Sequence, residues 1–134
     1  MRTYKSVLIA TALASVCILF ARDYIEFRDS YKDVNAYEAY NLINTYPNLK
    51  IIDVSGTYNL GHIPGSINLF IGDGTFDKAL SELSKKERYL VYYHSNNKSI
   101  EAALKLKETG IRKVYRLDGN FHSWVEAGFA TASL

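Results

Sequence analysis

Tyr89-Leu90-Val91-Tyr92-Tyr93, continued by His94-Ser95-Asn96-Asn97-Lys98-Ser99, is the stretch on which the fold of this chain turns. The first five residues are apolar, β-branched or aromatic, the composition of a buried strand. Small polar residues then interrupt the run. From Ser99 the pattern changes to helical spacing, with Ile100, Ala103 and Leu104 on one face and Gly110 as a C-terminal stop after residue 109. A strand that passes into a helix through such a loop aims successive backbone N–H groups at one point, and the helix start adds partial positive charge there. His94, Ser95, Asn96, Asn97, Lys98 and Ser99 therefore form a candidate anion-binding loop, with Lys98 as its fixed cation and the Tyr93 phenol at its first position. The same residues also suit an ordinary strand-to-helix connection whose polar side chains cap the helix.

Working outward, apolar strands alternate with amphipathic helices. Asn35 and Glu38 have capping-box spacing, and Ala36, Ala39, Tyr40 and Ile43 follow on one helical face until Pro47. A short Ile/Val-rich strand is expected over residues 50 to 54, another over 67 to 69, a helix over 76 to 83, a strand over 113 to 117 and a helix over 121 to 127 before Gly128. This alternation predicts an α/β fold, a doubly wound parallel sheet with helices on both faces. Ligands of such sheets sit at the carboxyl ends of the strands. Asp53, Tyr93 and Asp118 fall at those ends and are expected to share one rim.

Residues 6 to 21 are uncharged and apolar, between Arg2 and Lys5 on one side and Arg22 and Asp23 on the other, which is the layout of an export signal. The run is slightly short for a membrane span, and neither Ala12-Leu13-Ala14 nor Leu19-Phe20-Ala21 is a good cleavage site. An N-terminal hydrophobic helix over 1–21, acting as signal peptide or membrane anchor, is expected, with a stalk or lead-in over 22–34 and the folded domain over 35–134. The protein is accordingly expected to be membrane-anchored or exported, periplasmic or otherwise extracytoplasmic if bacterial, and to contact the membrane through this segment.

The chain has 134 residues, a formal net charge of +2 and interspersed charges, so it is read as one domain without the basic stripe that nucleic acid demands. Its three histidines, His62, His94 and His122, are too dispersed for a zinc pattern, and no metal or cofactor is expected. His62, within Gly61-His62-Ile63-Pro64-Gly65, is read first as a turn-fixing hydrogen-bonding residue. Cys17 is the single cysteine and lies in the N-terminal segment, so the folded body can form no internal disulfide and holds no thiolate nucleophile.

Three ordered motifs resemble those of the rhodanese-like domain family. Ile51-Ile52-Asp53-Val54, Tyr58 and Gly61-His62-Ile63-Pro64-Gly65-Ser66-Ile67-Asn68 are similar to its first signature, and Leu117-Asp118-Gly119, Trp124 and Ala127-Gly128 to its closing one. Val91 to Ser99 aligns without a gap on the family's active loop. The resemblance implies sulfur transfer, in which a loop cysteine takes sulfur from a donor such as thiosulfate as a persulfide and passes it to a thiol or to cyanide. It also implies where this chain departs. Tyr93 stands in the cysteine's place, His94 at the following basic position, Asn96 where a glycine is usual and Lys98 where an arginine is usual.

The exchange can be weighed chemically. A cysteine near pKa 8.5 is easily shifted to thiolate by N–H donors and a helix start, whereas a phenol near pKa 10 is hard, mostly un-ionised at neutral pH and unable to hold a persulfide. The expectation is therefore a protein without this catalysis, a binding or regulatory module whose loop takes an unknown protein, a peptide or a small anion, with Asp53, His62 and Asp118 on the rim. The alternatives are a sulfurtransferase-type enzyme whose nucleophile a partner supplies, another reaction of Tyr93 with His94 as base, and an interaction module with a vestigial loop.

Overall fold

The computed structural model describes residues 14–18, 21, 30–94 and 97–134. Among them, β1 (Lys32–Val34), β2 (Lys50–Asp53), β3 (Ile67–Asn68), β4 (Arg88–Tyr92) and β5 (Lys113–Leu117) form a parallel sheet in the order β1-β5-β4-β2-β3. The pairing Ile52 with Val91 and Leu90 with Tyr115 sets the register at the centre. Helices α1 (Ala36–Thr45), α2 (Thr75–Ala79), α3 (Lys98–Glu108) and α4 (Asn120–Glu126) cover it. The expected α/β architecture with a parallel sheet is the one observed.

Alternation along the strands divides the core in two. Ile51, Leu90, Tyr92, Tyr115 and Leu117 point to the layer that holds Ala39 and Trp124, whereas Ile52, Tyr89, Val91 and Val114 point to the layer that holds Phe76, Ala103 and Leu106. Leu90 and Val91 are neighbours on opposite faces and both are fully buried, which is the reason β4 reads as a continuous apolar run. Burial of side chains of this size contributes roughly 1.5–3 kcal/mol each.

Local chemistry sets the helix ends. Asn35 Oδ1 accepts from the Glu38 amide at 2.9 Å and Glu38 Oε1 accepts from the Asn35 amide at 3.4 Å, the two halves of the capping box. Tyr46, which precedes Pro47, is extended at φ −113°, ψ 95°, as proline demands of the residue before it. The helix expected over 76 to 83 is shorter: α2 ends at Ala79, Leu80–Glu82 tightens to a 3-10 turn and Leu83 is extended. The Gly74 N-cap has no side chain, and Asp73 Oδ1 accepts from the Thr75 amide at 2.9 Å in its place, while the fully buried Phe76 anchors the segment to the core.

Within the segment read as a lead-in over 22–34, Lys32–Val34 joins the sheet as edge strand β1 beside β5. Arg116 fixes it there. Its guanidinium bonds Asp33 at 2.7 Å and Asp118 at 3.2 Å. Burial alone would lower the Arg116 pKa, but the bond and charge of Asp33 outweigh it and the net shift is upward. The expected N-terminal hydrophobic helix lies mostly outside the described residues, of which 14–18 and 21 are helical. Among the described residues, no helix is long and apolar enough to cross a membrane.

Candidate functional site

The parallel strands end together, and their ends bring residues distant in sequence to one rim. Asp53 closes β2, Tyr93 and His94 follow β4, and Asp118 follows β5. Asp53 is fully buried. Its Oδ1 accepts from the Ser55 amide at 2.8 Å, and its Oδ2 lies 2.8 Å from His94 Nε2. Asn68 clamps the same turn by donating from Nδ2 to the Asp53 carbonyl at 2.9 Å and the Ser55 carbonyl at 2.8 Å.

The His94 ring is committed on both sides. Its Nδ1 lies 2.9 Å from Thr57 Oγ1, and the ring leans on Phe121 with centroids 4.6 Å apart. A carboxylate oxygen can only accept, so Nε2 carries a proton toward Asp53, and in the neutral tautomer Nδ1 accepts from the Thr57 hydroxyl. The pairing of His94 with the Tyr93 phenol, expected as one alternative, does not form.

Tyr93 is held by its backbone. Its amide donates to Asn120 Oδ1 at 3.3 Å and its carbonyl accepts from the Phe121 amide at 2.9 Å. Its ring is half-buried against the apolar layer that includes Val54, Phe76 and Ala103. Buried Ser99, at the opening of α3, donates to the same Asn120 Oδ1 at 2.9 Å. Asn120 reaches both because it adopts a left-handed conformation at φ 56° directly after Gly119 at φ 81°, and a Cβ on Gly119 would meet Ser123 Cβ at 2.7 Å. The Asp118-Gly119 turn thus aims an amide side chain at the root of the loop.

The remaining expected site residues are placed as follows. Ser95 and Asn96 lie outside the described residues. Asn97 precedes α3 as its N-cap without a side-chain capping bond, and Lys98 pairs with Glu101 at 3.3 Å on the helix surface. Asp118 is exposed and pairs with Arg116. His62 stands apart from the Asp53 and His94 pair: it is buried, stacks on Tyr58 with centroids 3.7 Å apart, and bonds the Tyr58 carbonyl through Nδ1 at 2.9 Å. Among the described residues, no cluster of histidine, cysteine, aspartate and glutamate suits a metal ion.

Tyr92 lies beneath the rim with its hydroxyl fully buried, accepting from the Ile63 amide at 2.9 Å and 3.1 Å from Ser66 Oγ. Burial, and then the charge of Asp53, push its pKa well above that of an ordinary phenol. It ties the Gly61 to Ser66 segment to β4. Thr57, Asn68, Tyr92 and Asn120 escaped the sequence reading because polar residues in loops and strand interiors carry no period that marks their roles.

The sequence profile of the rhodanese-like domain matches residues 35–127. The chain belongs to the rhodanese-like domain family. Among relatives of known name, the thiosulfate sulfurtransferase GlpE of Shewanella oneidensis is 36% identical over 88 residues, which cover 59% of this chain and 78% of that protein. The rhodanese-like domain also superposes on solved structures. The Alr3790 protein from Anabaena sp. matches with a TM-score of 0.67 at 28% identity, covering 75% of this chain and 82% of that one. A rhodanese-related protein from Thermoplasma volcanium gives 0.66 at 25% identity, covering 76% and 98%.

Proposed function

We propose that this rhodanese-like domain does not transfer sulfur by the family's persulfide mechanism and serves instead as a binding or regulatory module, exported or held at a membrane by its N-terminal segment. The observation that carries this reading is Tyr93: a phenol stands at the loop's first position, its ring packs on the apolar layer below, and residues 18 to 134 contain no cysteine. A phenol cannot be converted to a persulfide, and neither Asp53 nor His94 is a sulfur nucleophile.

The rim remains suited to binding. The buried Asp53 carboxylate, the partly buried His94 imidazole, the Ser99 and Asn120 network and the start of α3 support a binding rim at which His94, Ser95, Asn96, Asn97, Lys98 and Ser99 would meet a small anion, a peptide segment or a partner protein, with Asp118 beside it. His62 belongs to the supporting turn. Similarity to a protein named as a thiosulfate sulfurtransferase favours a second reading, in which a partner supplies the missing thiol.

The test is thiocyanate formation by the purified full-length protein from thiosulfate and cyanide. Turnover at the level of a blank supports the first reading; turnover that arises only with an added protein thiol supports the second. Turnover by the protein alone removes both.

A further inference from the structure

The hydroxyl that His94 faces belongs to Thr57. Asp53, His94 and Thr57 form a continuous line from a fully buried carboxylate, through an imidazole with 16% side-chain exposure, to a residue at the surface. The two links measure 2.8 and 2.9 Å. Ser55 holds Asp53 through its amide, and Ser55 Oγ accepts from the Thr57 amide at 3.3 Å, which fixes the Thr57 backbone. Ser55 Oγ is also the competing acceptor for the Thr57 hydroxyl, but at 3.5 Å it lies at the limit of a hydrogen bond. Phe121 braces the ring.

We propose that Asp53-His94-Thr57 is a carboxylate–imidazole–hydroxyl relay in which Thr57 Oγ1 is a nucleophile toward activated carboxylic esters, an acyl-transfer site separate from sulfur chemistry. The roles follow from the geometry. Asp53 accepts the Nε2 proton and so fixes the tautomer that leaves the Nδ1 lone pair facing Thr57. Oγ1 bonds to the ester carbonyl carbon while its proton passes to Nδ1. The bond from that carbon to the leaving oxygen then breaks, and the leaving group takes the proton from Nδ1. Water then adds to the acyl carbon as its proton passes to Nδ1, the bond from that carbon to Oγ1 breaks, Oγ1 takes the proton back from Nδ1, and the acyl group leaves as a carboxylic acid. No oxidant, reductant or metal enters the balance.

The experiment exposes the full-length protein to p-nitrophenyl acetate and maps acetylation by peptide mass spectrometry, with thermal melts to verify folding. The acetyl group is expected on Thr57, absent in Thr57→Val, retained on the introduced hydroxyl in Thr57→Ser, and formed about a hundredfold more slowly in His94→Gln, the loss of a general base. His122→Ala, which removes an exposed histidine paired with Glu126, should leave the rate unchanged. Acetylation of Tyr93 or of surface lysines alone, or a Thr57 adduct formed equally fast in His94→Gln, overturns the proposal. Because this assay contains no sulfur donor, its failure leaves the thiosulfate result untouched.

Discussion

His94 bridges Asp53 and Thr57, with contacts of 2.8 and 2.9 Å on its two ring nitrogens, and so joins the end of β2, the turn after it and the loop after β4. Asp53 and His94 are 41 positions apart in sequence, yet the parallel pairing of β2 with β4 brings them together. Removal of the ring leaves a buried carboxylate oxygen without its donor. His94→Ala is therefore expected to lower the unfolding free energy by about 1–3 kcal/mol in urea denaturation. Asp53→Asn should cost less when added to His94→Ala than when made alone, a coupling that a double-mutant cycle reads directly.

Tyr92 secures the same rim from the interior. Its hydroxyl is the acceptor for the Ile63 amide and a partner of Ser66 Oγ. Tyr92→Phe keeps the ring and strands that amide, so a loss of about 1–3 kcal/mol is expected, again from urea denaturation.

The same residue governs behaviour at high pH. The pKa values of Tyr89 and Tyr92 are both raised, by burial first, then by the nearby charges of Glu87 and Asp53 respectively. The unfolded chain releases these protons from about pH 10, whereas the folded chain retains them. Their contribution is complete below pH 10 and declines as pH rises beyond it, with a slope of up to about 1.4 kcal/mol per pH unit for each group. Stability followed from pH 8 to 11 should fall on the alkaline side, and Tyr92→Phe should flatten that fall.

Asn120 carries the root of the loop. Asn120→Ala removes the acceptor of both the Tyr93 amide and the Ser99 hydroxyl and leaves a Cβ residue at φ 56° without a polar side chain to favour it. A destabilisation of about 2–4 kcal/mol is expected, with faster hydrogen exchange at the Tyr93 amide than in β4 before it.

Much of this architecture was legible in the sequence because it depends on local rules. Asn35 with Glu38, Pro47 and Gly110 each mark a helix end through chemistry that neighbouring residues suffice to define. Residues 89 to 92 read as a strand because both of their faces are buried. The motifs Ile51 to Val54, Gly61 to Asn68 and Leu117 to Gly119 also identified the family in advance. What stayed hidden depends on distant partners. Lys32-Asp33-Val34 has no period of its own and becomes a strand because β5 pairs with it and Arg116 holds Asp33. His94 looked available to Tyr93 on grounds of adjacency, but neighbouring residues at a strand end point to opposite sides, and His94 turns toward Asp53 and Thr57. Thr57 itself sits in a turn where no pattern distinguishes a relay hydroxyl from a solvated one.

On the reading proposed above, the rim lacks a group able to hold sulfur. This is tested most directly by incubating full-length Cys17→Ser protein with thiosulfate and searching for a sulfane adduct by mass spectrometry, beside the same chain carrying Tyr93→Cys and Asn96→Gly. The account predicts no adduct on the former and an adduct on the introduced thiol of the latter. A sulfane adduct on the Cys17→Ser protein would contradict it.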